Sequence, residues 1–225
     1  MEINLEEYHR IGYTIIKNAI PEEDLKIAQH EASKLKRWFN LYKRDGALKD
    51  FGTGQYWKGI EMAGVLSKPL MKLYKQKRQY DMAIQFLDTT DIYFFNDEIV
   101  VKNPYEVFDF LIHTDNEFGP DPSAAERGDY RTVNMCWMLD DIREKNGPMS
   151  FLNKETNEWE TPYPDAGDIV AFDGNTVHSS SHNETGQIRR CWATVYSTIP
   201  MGTYFNNEKW PLPHFKGFYN DKFEV

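Results

Sequence analysis

The sequence predicts an α+β protein, mainly β, in which N-terminal helices precede the strands of a sandwich or jelly roll. Three observations support this: apolar residues keep a helical period early in the chain, short β-branched and aromatic runs follow, and turn signals separate those runs. With 40% hydrophobic and 15% aromatic residues, the 225-residue chain can build a large core. No repeat or linker is evident, so we expect one domain over residues 1–225.

The N-terminal part is predicted to be mainly helical. Pro21 suits the first turn of a helix, and the three acidic residues after it suit the positive end of the helix dipole. The predicted elements are a helix at 4–10, a strand at 13–20, a helix from Pro21 to about Tyr42, a glycine-rich loop at 45–59 and a helix from Lys68 to about Tyr80.

Beyond the last of these helices the pattern changes to strands. Dipeptides such as Asn-Pro, Gly-Pro and Asn-Gly mark turns between runs of β-branched and aromatic residues. The predicted strands lie at 91–101, 107–115, 131–139, 167–172, 176–181 and 189–198. Many short strands between turns favour a sandwich or jelly roll.

Composition and charge exclude several classes of function. The net charge is −9 with a pI near 5.2, and without an extended basic patch nucleic acid is not an expected partner. The acidic N-terminus lacks an apolar signal region, and no apolar run is long enough to span a membrane. Cys136 and Cys191 are expected to be buried thiols, with a disulfide as the alternative. We therefore expect a cytoplasmic protein; its oligomeric state stays open.

A candidate metal site comes from His113, Asp115 and His178. Residues two apart on an extended chain point to the same face, so the imidazole of His113 and the carboxylate of Asp115 would converge. His178 lies 65 residues after His113, in a second strand-like run. Two histidines and one carboxylate form the facial triad of non-haem iron(II) oxygenases, which leaves positions open for a co-substrate and O₂.

A lone His-x-Asp is a weak signal, and one competitor exists. His182 and Glu184 have the same spacing, but they run into a turn, where the alternation of side chains fails. We therefore interpret His182 as structural, as we do the remaining histidines His9, His30 and His214.

Arg189 is a candidate anion-binding residue. Alternation along 189–198 places Arg189 on one face with Cys191 and Ala193, which points it inward, while Arg190 lies on the other face. A buried guanidinium needs an anion, and a carboxylate matches its geometry. The alternative is a surface arginine at a strand start, and a register slip of one residue would exchange the two arginines.

Together these ordered motifs resemble the phytanoyl-CoA dioxygenase family of iron(II)/2-oxoglutarate oxygenases. The matching segments are the opening at 8–19, the His-x-Asp at 113–115, the tryptophan-bearing strand and Asn-Gly turn at 134–151, and the Gly-Asp turn, distal histidine and arginine at 166–190.

This resemblance implies a double-stranded β-helix, cupin-like, with the N-terminal helices packed on one sheet. It implies an enzyme that hydroxylates a small molecule with Fe(II), 2-oxoglutarate and O₂, releasing succinate and CO₂. Iron would be held by the triad, and Arg189 would bind a 2-oxoglutarate carboxylate with Ser180 and Trp137 close by. The alternatives are a surface hydroxyl for Ser180 and a core aromatic for Trp137.

The sequence departs from the family pattern after the Asn-Gly turn. Members usually carry Pro-Gly-Ser-His and a long loop there, whereas 152–166 leads directly to the Gly-Asp turn. We expect so short a connection to cross between strands without covering the pocket. Loops 45–59 and 116–130 then form the candidate lid, and the alternative is a permanently open mouth suited to a bulky or carrier-bound substrate. The candidate substrate contacts are Tyr56, Trp57, Asn116 and Glu117.

Three other functions remain as alternatives. A halogenase on this scaffold would need a small residue in place of Asp115. A cupin-like metal enzyme that does not use 2-oxoglutarate would leave Arg189 unexplained. A non-enzymatic binding module with a degenerate site would not need an intact triad.

Overall fold

The computed structural model describes residues 2–44, 59–61, 63–118 and 122–199. The helices are α1 (Leu5–Ile11), α2 (Glu22–Arg44), α3 (Ala63–Leu66), α4 (Lys68–Tyr74), α5 (Lys77–Leu87) and α6 (Pro122–Glu126), with a 3₁₀ helix at Asp115–Phe118. The strands are β1 (Tyr13–Ile16), β2 (Gly59–Glu61), β3 (Tyr93–Lys102), β4 (Phe110–His113), β5 (Thr132–Met138), β6 (Met149–Leu152), β7 (Trp159–Glu160), β8 (Ile169–Asp173), β9 (His178–Ser180) and β10 (Arg189–Ser197).

Two antiparallel sheets form the body of the protein. The larger has the strand order β1-β8-β5-β10-β3-β2, and the smaller has the order β4-β9-β6-β7. Their inner faces share one buried cluster, as expected for a jelly roll of the double-stranded β-helix type. The predicted mainly β, cupin-like architecture is confirmed. The members of this inner cluster are Ile11, Tyr13, Val100, Cys136, Met138, Ile142, Phe151, Val170, Phe172 and Cys191.

The helices pack on the outer face of the larger sheet. Because successive strand residues point to opposite faces, β5 sends Met135 and Trp137 to the helices and Cys136 and Met138 to the inner cluster. The indoles of Trp137 and Trp192 pack together, with ring centroids 4.9 Å apart. This outer core holds the sheet rigid, so the residues on its inner face keep fixed positions.

A buried carboxylate joins the helical layer to the sheet. Asp97 in β3 accepts hydrogen bonds from Trp192 Nε1 at 2.7 Å and from the backbone nitrogen of Gly64 at 2.8 Å. The two donors would otherwise be buried without a partner, which is costly. Asp97 therefore fixes α3 against the middle of the larger sheet.

The structure corrects several predicted elements. The helix expected from Lys68 to Tyr80 is two helices, α4 and α5, which Lys75 and Gln76 separate. The first strand ends at Ile16, and β2, β6 and β7 were not predicted. The glycine-rich segment 45–58 lies outside the described residues. None of the described helices has the length and apolar character needed to cross a membrane.

Candidate active site

A cross-strand pair brings the two candidate histidines together. His113 ends β4 and lies opposite His178, the first residue of β9. Their ring centroids are 4.3 Å apart. Asp115 opens the 3₁₀ helix, and its Oδ1 lies 3.5 Å from Nε2 of His113 and 3.6 Å from Nε2 of His178. One ligand atom from each of the three residues lies within 4.8 Å of the others.

Backbone carbonyls fix which nitrogen each histidine offers. Nδ1 of His113 lies 2.6 Å from the carbonyl oxygen of Leu111, and Nδ1 of His178 lies 2.9 Å from that of Thr176. A carbonyl only accepts hydrogen bonds, so each Nδ1 carries the proton. Each Nε2 then presents a lone pair toward Asp115, which is the arrangement of a metal-ligating histidine.

The electrostatics of the triad suit a divalent cation. Burial lowers the pKa of His178 and favours its neutral form. For His113, burial also opposes the charge, but the Asp115 carboxylate and the Leu111 carbonyl raise its pKa. Two imidazoles and one carboxylate gathered on one side fit iron(II) with coordination positions left open.

Arg189 forms the charged end of a second site. Its side chain lies on the inner face of β10 and is 1% exposed. Nη1 donates to Cys191 Sγ at 3.3 Å, but Nε and Nη2 have no hydrogen-bond partner among the described residues. A buried guanidinium with unpaired donors is costly unless an anion binds to it. This orphaned pair of donors fits one carboxylate of 2-oxoglutarate.

The pocket beside Arg189 is otherwise apolar. About 190 Å³ of space lies between its walls, and part of that space is open to solvent. Apolar walls keep water from competing for the guanidinium and strengthen its attraction for an anion. The other residues that line the pocket are Met138, Ile142, Met149, Phe151, Pro162, Pro164 and Val170.

Arg190 has a different environment. It lies on the outer face, where Nε and Nη2 bind both oxygens of Asp140 at 2.8 and 2.6 Å. Its Nη1 also donates to Ser33 of α2 at 2.7 Å. The strand register therefore leaves Arg189 as the inward arginine, and Arg190 is satisfied by protein partners.

Lys102 is a candidate site residue that the sequence reasoning missed. It ends β3 directly opposite Arg189 and is 1% exposed. Nζ donates to Ser180 Oγ at 2.8 Å and contacts the carbonyl oxygens of Ser180 and Ser181. Burial, and then the charge of Arg189, lower the pKa of Lys102 to about 7. Residues two apart on a strand share a face, so the position of Lys102 two residues after the inward Val100 could have revealed that its side chain points inward.

Ser180 and Trp137, both expected near 2-oxoglutarate, have different environments in the structure. Ser180 is 6% exposed and lies beside Lys102, so the surface alternative for this hydroxyl is wrong. Trp137 faces the helices, where the Arg78 guanidinium lies 5.8 Å from its ring centroid. The expectation that Trp137 lies near 2-oxoglutarate is therefore corrected: alternation puts it on the opposite face from Arg189, and it is a core aromatic.

The structure describes part of the predicted lid and some of the candidate substrate residues. Within 116–130, the described part contains a 3₁₀ helix and α6, and Ala124, Ala125 and Tyr130 are buried together, unlike a free loop. Asn116 is buried rather than exposed to substrate, and Glu117 is exposed. Segment 152–166 does contribute to the pocket wall, through Pro162 and Pro164. The candidates Tyr56 and Trp57 lie outside the described residues.

His182 takes no part in the triad. Its Nδ1 lies 3.0 Å from Asp109 and its Nε2 lies 3.2 Å from Glu184, so both nitrogens bind carboxylates. These contacts join the turn after β9 to the segment before β4. The structural interpretation of His182 agrees with this position.

Comparison with known proteins identifies related sequences along most of the chain. The profile of the phytanoyl-CoA dioxygenase (PhyH) family matches residues 8–160 and 152–191. Ectoine dioxygenase of Bordetella bronchiseptica is 23% identical over 235 aligned positions, which cover 87% of this chain and 74% of that relative. Its counterpart in Bordetella parapertussis has the same identity and coverage.

Solved structures share the fold at low identity. EctD from S. alaskensis in its apoform has a TM-score of 0.74 at 17% identity, over 97% of this chain and 82% of that one. The non-haem α-ketoglutarate-dependent epimerase SnoN from nogalamycin biosynthesis has a TM-score of 0.70 at 19% identity, over 98% and 91%. The same double-stranded β-helix therefore occurs in proteins with different reactions.

The triad predicts a specific dependence of metal binding on His178. His178→Ala removes one of three ligands and should abolish Fe(II) binding, measured by anaerobic equilibrium dialysis of the folded protein. His182→Ala is the matched control, because it removes a nearby histidine outside the triad and should leave Fe(II) affinity unchanged. Wild-type affinity in His178→Ala, or loss of binding in His182→Ala, would contradict the assignment.

Proposed function

The chain belongs to the phytanoyl-CoA dioxygenase family, and we propose that this 2-oxoglutarate-dependent dioxygenase hydroxylates a small molecule with release of succinate and CO₂. One observation carries the proposal. A two-histidine, one-carboxylate cluster and a buried guanidinium with unpaired donors lie within the same pair of sheets. Those are the two anchors that a chelating keto acid needs, one for each end.

Each anchor residue has a defined role in this proposal. His113, Asp115 and His178 hold iron(II), and Arg189 binds the distal carboxylate of 2-oxoglutarate in the apolar pocket. Ser180 and Lys102 lie beside that carboxylate, with Lys102 adding positive charge. Bound iron(II) with 2-oxoglutarate supplies the activation of O₂, which oxidises the co-substrate to succinate and CO₂ and inserts one oxygen atom into the substrate.

The protein supplies position and exclusion of water. Arg189 would hold the distal carboxylate of 2-oxoglutarate and leave its keto-acid end for the triad. Apolar pocket walls, such as Phe151 and Met138, keep solvent away from the reacting centre. Asp115 occupies the coordination position that a halide would need, which favours hydroxylation over chlorination.

The inner face of the larger sheet near the triad supports a polar substrate. Asn134 is 2% exposed, and its Nδ2 has no hydrogen-bond partner in the described part of the chain. It lies between Val195 and Phe172 on neighbouring strands, and the Phe172 ring packs 4.7 Å from that of His178. A substrate with a hydrogen-bond acceptor would satisfy this amide. Ectoine, named for the curated relatives, is the first compound to test.

The two cysteines bear on the cellular location of the protein. Cys136 and Cys191 are both buried and free. Free buried thiols suit a reducing compartment, which supports a cytoplasmic location. The same proposal treats residues 1–225 as one enzyme domain.

Isotope labelling tests the reaction type. With Fe(II), 2-oxoglutarate and ¹⁸O₂, wild-type protein should release succinate, and a productive substrate should gain one ¹⁸O atom. Excess chloride should not change the product, because Asp115 leaves no halide position. The proposal fails if no succinate forms under any condition, if the product gains no oxygen, or if the main product is chlorinated.

The two neighbouring arginines provide a matched pair for the co-substrate site. Truncating one member of a buried charge pair costs roughly 2–5 kcal/mol, so Arg189→Ala should weaken 2-oxoglutarate binding by roughly 30-fold or more. Arg190→Ala removes an outward arginine and should leave the dissociation constant nearly unchanged. Calorimetric titration measures both, and the reverse ranking would show that another group anchors the carboxylate.

The low pKa of Lys102 leads us to expect that co-substrate binding depends on pH. Below its pKa of about 7, the amine adds a second positive charge beside Arg189. Affinity for 2-oxoglutarate should therefore be flat below pH 7 and should fall above it, by at most about tenfold per pH unit. Titrations with Mn(II) in place of iron should show a flat profile for Lys102→Met. Affinity that rises through pH 7, or an unchanged profile in Lys102→Met, would rule out this role.

A further inference from the structure

We propose that Asn116 is a positioning residue, which sets the Asp115 carboxylate against His178 through a hydrogen-bonded junction of three chain segments. The inference rests on the metal centre proposed above and extends it to a residue that would not touch the metal. Asn116 directly follows the carboxylate ligand and is 5% exposed. Both polar atoms of its buried amide form hydrogen bonds with protein groups.

The Asp115 side chain does not fix its own position. It is 35% exposed, and its only charged neighbours within 4 Å in the described part of the chain are His113 and His178. In the neutral rings Nδ1 carries the proton, so each Nε2 offers the carboxylate a lone pair rather than a hydrogen and does not hold it before the metal binds. The backbone that carries Asp115 must therefore be held by its neighbours in sequence.

Three hydrogen bonds from Asn116 hold that backbone. The amide Oδ1 accepts from Thr132 Oγ1 at 3.1 Å, and Nδ2 donates to Asn175 Oδ1 at 2.8 Å. The backbone nitrogen of Asn116 donates to the carbonyl of Gly174 at 3.1 Å. Both ends of the amide and the main chain are thus fixed at once, which leaves the 3₁₀ helix little freedom to turn.

The partners of Asn116 connect it to the other ligand. Gly174 and Asn175 belong to the turn between β8 and β9, which leads through Thr176 to His178. The Thr176 carbonyl is the group that orients Nδ1 of His178. The same short turn therefore holds the segment after Asp115 and sets the ring of His178, so the distance between these two ligands depends on the junction.

The junction is packed too tightly to adjust. A Cβ atom on Gly174 would lie 2.0 Å from Thr132 Oγ1 and 2.7 Å from Asn116 Oδ1. Only glycine fits at that position while both hydrogen bonds persist. Thr132 starts β5, so the junction also anchors both ligands to the larger sheet.

Cobalt(II) binding tests the inference without any need for substrate. Asn116→Ala should weaken Co(II) affinity by about 10- to 100-fold, as is typical when a group that orients a metal ligand is lost. Its visible Co(II) spectrum should also change, because the ligand geometry relaxes. Thr132→Val should weaken binding in the same direction, whereas Thr132→Ser keeps the hydroxyl donor and should retain affinity.

Asn153→Ala is the matched control. Asn153 is equally buried at 4% exposure, and it accepts from the backbone nitrogens of Glu155 and Thr156, but it lies in the β6–β7 hairpin. It should lower Tm yet keep Co(II) affinity within about twofold of wild type, because its side-chain hydrogen bonds stay within the hairpin and reach neither the junction nor a metal ligand.

The outcomes separate the two proposals. If Asn116→Ala loses Tm as the control does but binds Co(II) like wild type, Asn116 is only structural and the inference is overturned. Should Asn116→Ala fail to fold, the Thr132→Val and Thr132→Ser pair decides by the same criterion. Wild-type protein that does not bind Co(II) at all would instead count against the metal centre itself.

Discussion

The candidate active site depends on one strand pairing, that of β4 with β9. This pairing sets His113 opposite His178 although 65 residues separate them in sequence. Side chains alternate along strands, so a slip of one residue would turn one imidazole to the outside and separate the ligands. The rings of Phe172 and Phe151 pack against His178 and favour the observed register. The packing of the inner core therefore also fixes the relative positions of the two histidine ligands.

A second feature is the concentration of positive charge deep between the sheets. Arg189 and Lys102 are opposite each other and both nearly inaccessible to water. Like charges in such a place oppose folding, since burial penalises each charge and their repulsion adds to that cost. Oxygen atoms of Ser180 and Ser181 satisfy the amine, whereas two guanidinium nitrogens of Arg189 stay without partners in the described structure. A dianionic keto acid would offset both the burial of the two positive charges and the repulsion between them. The same charges that destabilise the empty fold would therefore favour binding of the co-substrate.

The sequence predicted those features that depend on local pattern. Period-two alternation distinguished Arg189 from Arg190, and the spacing of His113, Asp115 and His178 gave the candidate triad. Alternation applied to β5 would also have placed Trp137 outward, beside Met135 rather than Cys136; the resemblance to the family suggested proximity without specifying a face. Residues whose role depends on a distant partner were missed. Lys102 lies at the site only because the β3–β10 register places it opposite Arg189. The Asn116 junction requires three chain segments to meet, and no local sequence pattern reveals either arrangement.

The proposed function requires that one metal and 2-oxoglutarate bind together, with the co-substrate held at one end by the metal on the triad and at the other by Arg189. The most direct measurement is an anaerobic titration of wild-type protein with 2-oxoglutarate, carried out with and without Fe(II). Binding of 2-oxoglutarate should be at least about tenfold tighter in the presence of Fe(II), because chelation adds a second anchor to the buried ion pair. Equal affinity with and without the metal would show that the triad and Arg189 do not hold the same ligand, and would rule out the proposed co-substrate site.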